Sequence, residues 1–181
     1  MSTLARKVIG AHAFFARDGV AFLLPAPGTI SRTSKPGATD TKWIDLGEGD
    51  WNISPNSKEV EFMAPAPGAR VLKDIITTGR GLKLKGKLME LQNLSFQMMF
   101  GTLDLPNSPT AGGQYNPLEG EHRIKGWLKL QQYGQDNAII NVLDVYVSMK
   151  ISTDVQMGEN AVDVEIEADV LFSIYNTGTL S

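Results

Sequence analysis

Hydrophobic and polar positions alternate strictly from Val162 to Phe172, VDVEIEADVLF. Successive side chains of an extended strand point to opposite faces. Asp163, Glu165, Glu167 and Asp169 therefore share one face, and Val164, Ile166, Ala168 and Val170 the other. Along such a strand the carboxylates stand about 7 Å apart, at roughly 3.3 Å per residue. The apolar face is built to pack. The acidic face either pairs with a basic strand or presents an acidic wall to water. The same period of two marks Leu82–Leu88, where Lys83, Lys85 and Lys87 alternate with Leu82, Leu84 and Leu88. It recurs in Arg123–Gln132, with Arg123, Lys125, Trp127 and Lys129 opposite Ile124, Leu128 and Leu130. Further strands are expected over Val8–Ala16, Trp43–Leu46, Glu59–Met63, Val71–Thr78 and Ile139–Ile151.

The period changes over Glu90–Phe100, ELQNLSFQMMF. Leu91, Leu94, Ser95, Met98 and Met99 fall at i, i+3, i+4, i+7 and i+8, one face of a helix. A helix over 90–100 is predicted, with Leu91, Leu94 and Met98 as its core face and Gly101 as its cap. Pro, Gly, Ser and Thr fill 25–41 and 105–120, which read as long loops, the first of them mobile. Gly47–Asp50 and Gly79-Arg80-Gly81 read as turns, and Ala64–Gly68 as a break. Gly134–Asn137 and Met157–Asn160 link the last three long strands as an antiparallel meander.

These elements predict a mainly β protein: an antiparallel β-sandwich or partial barrel with one flanking helix and two long loops. At 181 residues the chain fits one domain, 1–181, with flexible termini at 1–7 and 176–181. Hydrophobic residues are 42% of the chain, enough for a sizeable core. The net charge of −3 gives no basic balance to recruit nucleic acid. Cysteine is absent, which excludes disulfides and thiolate chemistry. The first residues show no apolar run of secretory type, and no stretch approaches the roughly 18 apolar residues of a membrane span.

Candidate chemistry is sparse. His12 and His122 are the only histidines, and neither has a triad-like neighbourhood in sequence. No zinc, EF-hand or phosphate-loop spacing occurs. No catalytic, metal or cofactor residue is expected. The acids of 163–169 leave two readings open: pairing with Lys83, Lys85 and Lys87 or with Arg123, Lys125 and Lys129, or an acidic lining of a channel.

The order of these parts resembles the tail tube proteins of tailed bacteriophages. Trp43-Ile44-Asp45-Leu46-Gly47 looks like a strand near the start of that family. Leu82–Gly101 is similar to its strand running into a helix, matched here at Leu88, Glu90, Leu91, Leu94 and Gly101. The likeness spans residues 40–175. It implies a structural virion protein, not an enzyme, without cofactor, whose copies form hexameric rings stacked into a hollow tail tube. Its partners would be itself, the tape-measure protein and tail-end proteins. DNA would pass through without specific binding, and the chain would not insert into a membrane. Assembly would take place in the host cytoplasm. On this reading Asp163, Glu165, Glu167 and Asp169 would line an acidic lumen that repels phosphates. The 25–41 loop, with Ser31, Arg32, Lys35 and Asp40, would make ring-to-ring contacts. The tube protein of a contractile injection or type VI secretion system is the alternative. A ligand-binding β-sandwich is a third reading, against which stand only three Trp and four Tyr, scattered along the chain.

Overall fold

The computed structural model describes residues 8–66, 69–88, 93–100, 122–134, 136–154 and 164–180. The expected 105–120 loop, Leu91, Asp163 and the 1–7 terminus lie outside them.

The elements are β1 (Val8–Arg17), β2 (Ala21–Phe22), β3 (Gly28–Thr29), β4 (Ile44–Ala66), β5 (Ala69–Leu88), α1 (Asn93–Phe100), β6 (Ile124–Gly134), β7 (Ile139–Ile151), β8 (Val164–Val170) and β9 (Thr177–Leu180). Every pairing between the long strands is antiparallel, and the pairs β1–β4, β4–β5, β5–β8, β8–β7, β7–β6 and β6–β1 close on themselves. Closure removes the open edges of a sheet and encloses a core. Strand alternation fills that core: Phe15, Leu46, Leu84, Leu128, Val147, Met149 and Ile166 are fully or nearly fully buried in one cluster. Leu94 and Met98 of α1 join the same cluster. Of the helix expected over 90–100, Asn93–Phe100 is described, and all of it is helical.

Several expected turns are strand. Gly47 sits within β4, where its positive φ accommodates a bulge of β4 opposite Ala13 and Phe14 of β1, with Leu46 as the extra residue. The bulge aims Leu46 into the core. Gly79-Arg80-Gly81 is also strand, paired with Lys58, Ser57 and Asn56. The 176–181 terminus holds β9, which pairs with Asn141–Asp144 of β7.

A second layer covers part of the barrel's outer face. The chain between β1 and β4 folds over Ala16, Trp127 and Tyr146 and buries Phe22 and Ile30 there. The 25–41 stretch, expected to be mobile, is fastened. The Trp127 indole donates to Ser31 O at 2.9 Å, and Ser173 Oγ donates to Arg32 O at 2.6 Å. Lys35 Nζ donates to Asp144 at 2.9 Å. The Asp40 carboxylate accepts from the backbone N–H of Leu24, Leu23 and Lys42. Hydrogen bonding by these N–H groups, that of Leu24 foremost, holds the Asp40 carboxyl below its usual range. A proline- and glycine-rich composition signals irregular backbone; it does not say whether that backbone is tied down.

Candidate assembly surfaces

The longest feature of the molecule lies outside the barrel. Pairing of β4 with β1 ends at Gly49, and pairing of β5 with β8 ends at Lys83. Beyond those points β4 and β5 pair with each other out to Ala66 and Ala69, and no other described strand joins them. This two-stranded arm reaches about 40 Å at roughly 3.3 Å per residue.

Isolated two-stranded ribbons are marginal in water, and cross-strand side-chain pairs hold them together. Here Val60 stands opposite Ile76 on one face of the ribbon, with Phe62 two residues on. Met63 opposite Leu72, and Ile75 opposite Glu61, occupy the other face. All six apolar side chains remain 44 to 49% exposed. Each ribbon face thus offers apolar surface that its own chain leaves uncovered. Single exposed apolar residues are ordinary; a set of them on one projecting element marks an interaction surface. Along β4 stand Pro55 and Pro65. A proline has no N–H to donate, so it fits a two-stranded ladder only where that N–H would point outward. Both prolines therefore blunt the outer edge of β4 against strand addition. Contacts through the faces of the arm remain open.

A second apolar surface lies between β8 and β9. Phe172 is 79% exposed and Ile174 72%, with Tyr175 beside them. Leu23 and Leu24, between β2 and β3, are also exposed.

The acidic face of β8 is not a solvated wall. In the ladder Lys83 stands opposite Asp169, Lys85 opposite Glu167 and Lys87 opposite Glu165. On the other side Lys150 stands opposite Glu167. Lys83 Nζ donates to Glu167 at 2.6 Å and lies 3.8 Å from Asp169, which also accepts from Arg123 at 2.9 Å. The Lys83 hydrogen bond holds the Glu167 carboxyl below its usual range, and the same bond raises the Lys83 ammonium. Glu165 is exposed. The face therefore carries Lys83, Lys85, Lys87, Arg123 and Lys150 against Glu165, Glu167 and Asp169. Cross-strand pairing, one of the two readings left open by the sequence, holds for Glu167 and Asp169.

Ser31, Arg32, Lys35 and Asp40 are brought together in the layer over the barrel, where each contributes a bond to its own chain. Lys129, at the centre of this layer, is buried with its ammonium 4.0 Å above the Trp43 ring. Burial lowers its pKa. His12 contacts the Asp45 carboxylate on the outer surface and stacks on Phe14. Among the described residues no three His, Asp or Glu side chains converge as a metal site. None of their helices is long and apolar enough to cross a membrane.

The arm residues Val60, Phe62, Leu72, Ile75 and Ile76 were missed as a functional set by sequence reasoning. The signal is present: two β-patterned runs, Glu59–Met63 and Val71–Thr78, flank Ala64-Pro-Ala-Pro-Gly68 at nearly equal distance, as a hairpin requires. Compared with known proteins, the chain matches no protein-family model and no curated sequence.

Proposed function

We propose that this chain is a structural subunit that assembles with copies of itself into stacked rings forming a hollow tube, the tail tube of a tailed bacteriophage. The observation that carries self-assembly is the arm: a ribbon about 40 Å long at roughly 3.3 Å per residue, with apolar side chains half exposed on both faces. Stability of the monomer does not explain it, because the barrel core closes without it. A neighbouring copy would cover the arm and would be joined to the next by the same contact, repeated as a ring or a filament. The tube, its hexameric symmetry and its cargo rest on the resemblance in residues 40–175. The paired acids of β8 lend no support to a DNA-repelling lumen built on that strand, so the proposal does not depend on it.

Negative-stain electron microscopy of the concentrated protein, with mass from light scattering, tests this reading. Rings or hollow tubes are expected. A monodisperse monomer at every concentration would overturn it.

A further inference from the structure

We infer that the arm of one copy seats on the apolar step formed by Phe172, Ile174 and Tyr175 of the next copy; this rests on the self-assembly proposed above and names the two surfaces that meet. A contact that propagates around a ring is heterologous: it joins two unlike surfaces of the same chain. Outside the arm, Phe172 and Ile174 are, with Leu23, the most exposed large apolar side chains among the described residues.

The step is displayed on a fixed backbone. Leu171 N donates to Tyr146 O at 2.8 Å, and Asn176 bridges back by donating to Leu171 O and accepting from Tyr146 N. Ser173 between them is buried, donating to Arg32 O and accepting from Tyr175 N. Alternate residues thus anchor the segment while Phe172 and Ile174 point to water. Nothing in the monomer requires apolar groups at those two positions. A pre-ordered apolar step binds a partner at lower entropic cost than a flexible one.

A second copy fits these two surfaces better than an unlike protein does. Every chain brings one arm and one step, so a head-to-tail contact gives each arm a step and each step an arm. An arm-to-arm contact would close as a dimer and leave Phe172 and Ile174 bare.

The test uses two double variants of the full chain. The arm variant is Phe62→Asp with Ile76→Asp, on one ribbon face. The step variant is Phe172→Asp with Ile174→Asp. Thermal melts by circular dichroism confirm that the barrel of each is folded, since all four positions are exposed. Each variant alone is expected to need at least about 100-fold more protein than wild type to assemble. A 1:1 mixture is expected to give heterodimers and nothing larger, by sedimentation velocity. The step of the arm variant still receives the arm of the step variant, and the chain of contacts stops there. Wild-type-like assembly of the step variant, or a mixture that stays monomeric, would overturn the inference while leaving self-assembly standing. Wild type that never assembles would overturn the proposed function, and this inference with it.

Discussion

Phe62 and Phe15 are the same residue type in opposite settings, and replacing each by alanine separates the arm from the barrel. Phe15 is fully buried in the core. Its loss leaves a cavity among packed side chains, which costs about 3–5 kcal/mol. For a domain of this length that lowers the melting temperature by roughly 6–20 °C, at about 2–4 °C per kcal/mol. Phe62 is 48% exposed on a ribbon that shares little packing with the barrel. Its loss should move the barrel's melting temperature by less than about 2 °C. In an assembly the exposed half of Phe62 becomes buried. An aromatic side chain buries about 200 Å² in full, so covering half removes about 100 Å² from water. At roughly 25 cal/mol per Å² this contributes about 2.5 kcal/mol, of which Phe62→Ala, keeping Cβ, forfeits about 2 kcal/mol. That is about 30-fold in the association constant of each contact. Light scattering against concentration reads the assembly threshold, and circular dichroism reads the melt. If Phe62→Ala melted as low as Phe15→Ala, the arm would be packed on its own barrel and the reasoning would fail. An unchanged assembly threshold would refute it equally.

Gly126→Ala should lower stability by about 3 kcal/mol, because a Cβ there would lie 2.3 Å from Ala16 O, a backbone atom that no rotamer change can move. Gly79→Ala, with only the Lys58 side chain 3.5 Å away, should stay within about 0.5 kcal/mol, and urea melts of the two variants measure both. Asp40→Ala strips three backbone N–H groups of their acceptor and should speed proteolytic cleavage within residues 23–42, seen by mass spectrometry; unchanged cleavage would argue against the clamp. Glu167 titrates below its ordinary value near 4.5, so its stabilisation is present above that value and lost as the pH falls through the lowered one. Lys83 titrates above its ordinary 10.5, so its stabilisation is complete below 10.5 and lost as the pH rises through the raised value. Melting temperature against pH should therefore decline at both ends, and Glu167→Gln should flatten part of each decline.

Local alternation made the barrel legible. Ile139–Ile151 was readable to the residue as β7, and the inward sides of β6 and β8 follow from period two. Leu94 and Met98 face the core as their spacing implies. What period could not carry was continuity. Glycines at 79 and 81 are turn signals in a compact sheet, yet in a two-stranded ribbon they cost little, because no second sheet presses on them. Strands of 23 and 20 residues also lie far beyond the usual length near 5–6, so breaking them at each glycine or proline was the natural reading. The fate of the acids was legible only as an alternative. Lys83, Lys85 and Lys87 were visible as partners, but pairing depends on β5 lying beside β8, a long-range choice that local pattern does not encode. The 25–41 stretch fails for the same reason. Its anchors, Ile30 and Asp40, act on distant residues, and deleting Ser31–Thr39 should lower the melting temperature by uncovering Trp127.

The arm is proposed to join copies of this chain. The most direct test is sedimentation velocity of wild type beside a variant in which Asn56–Gly81 is replaced by a two-residue Asn-Gly turn, both at concentrations where wild type assembles. Large species are expected for wild type, and a folded monomer with an intact barrel melt for the armless chain. Equal assembly of the two, or a monomer for both, would contradict it.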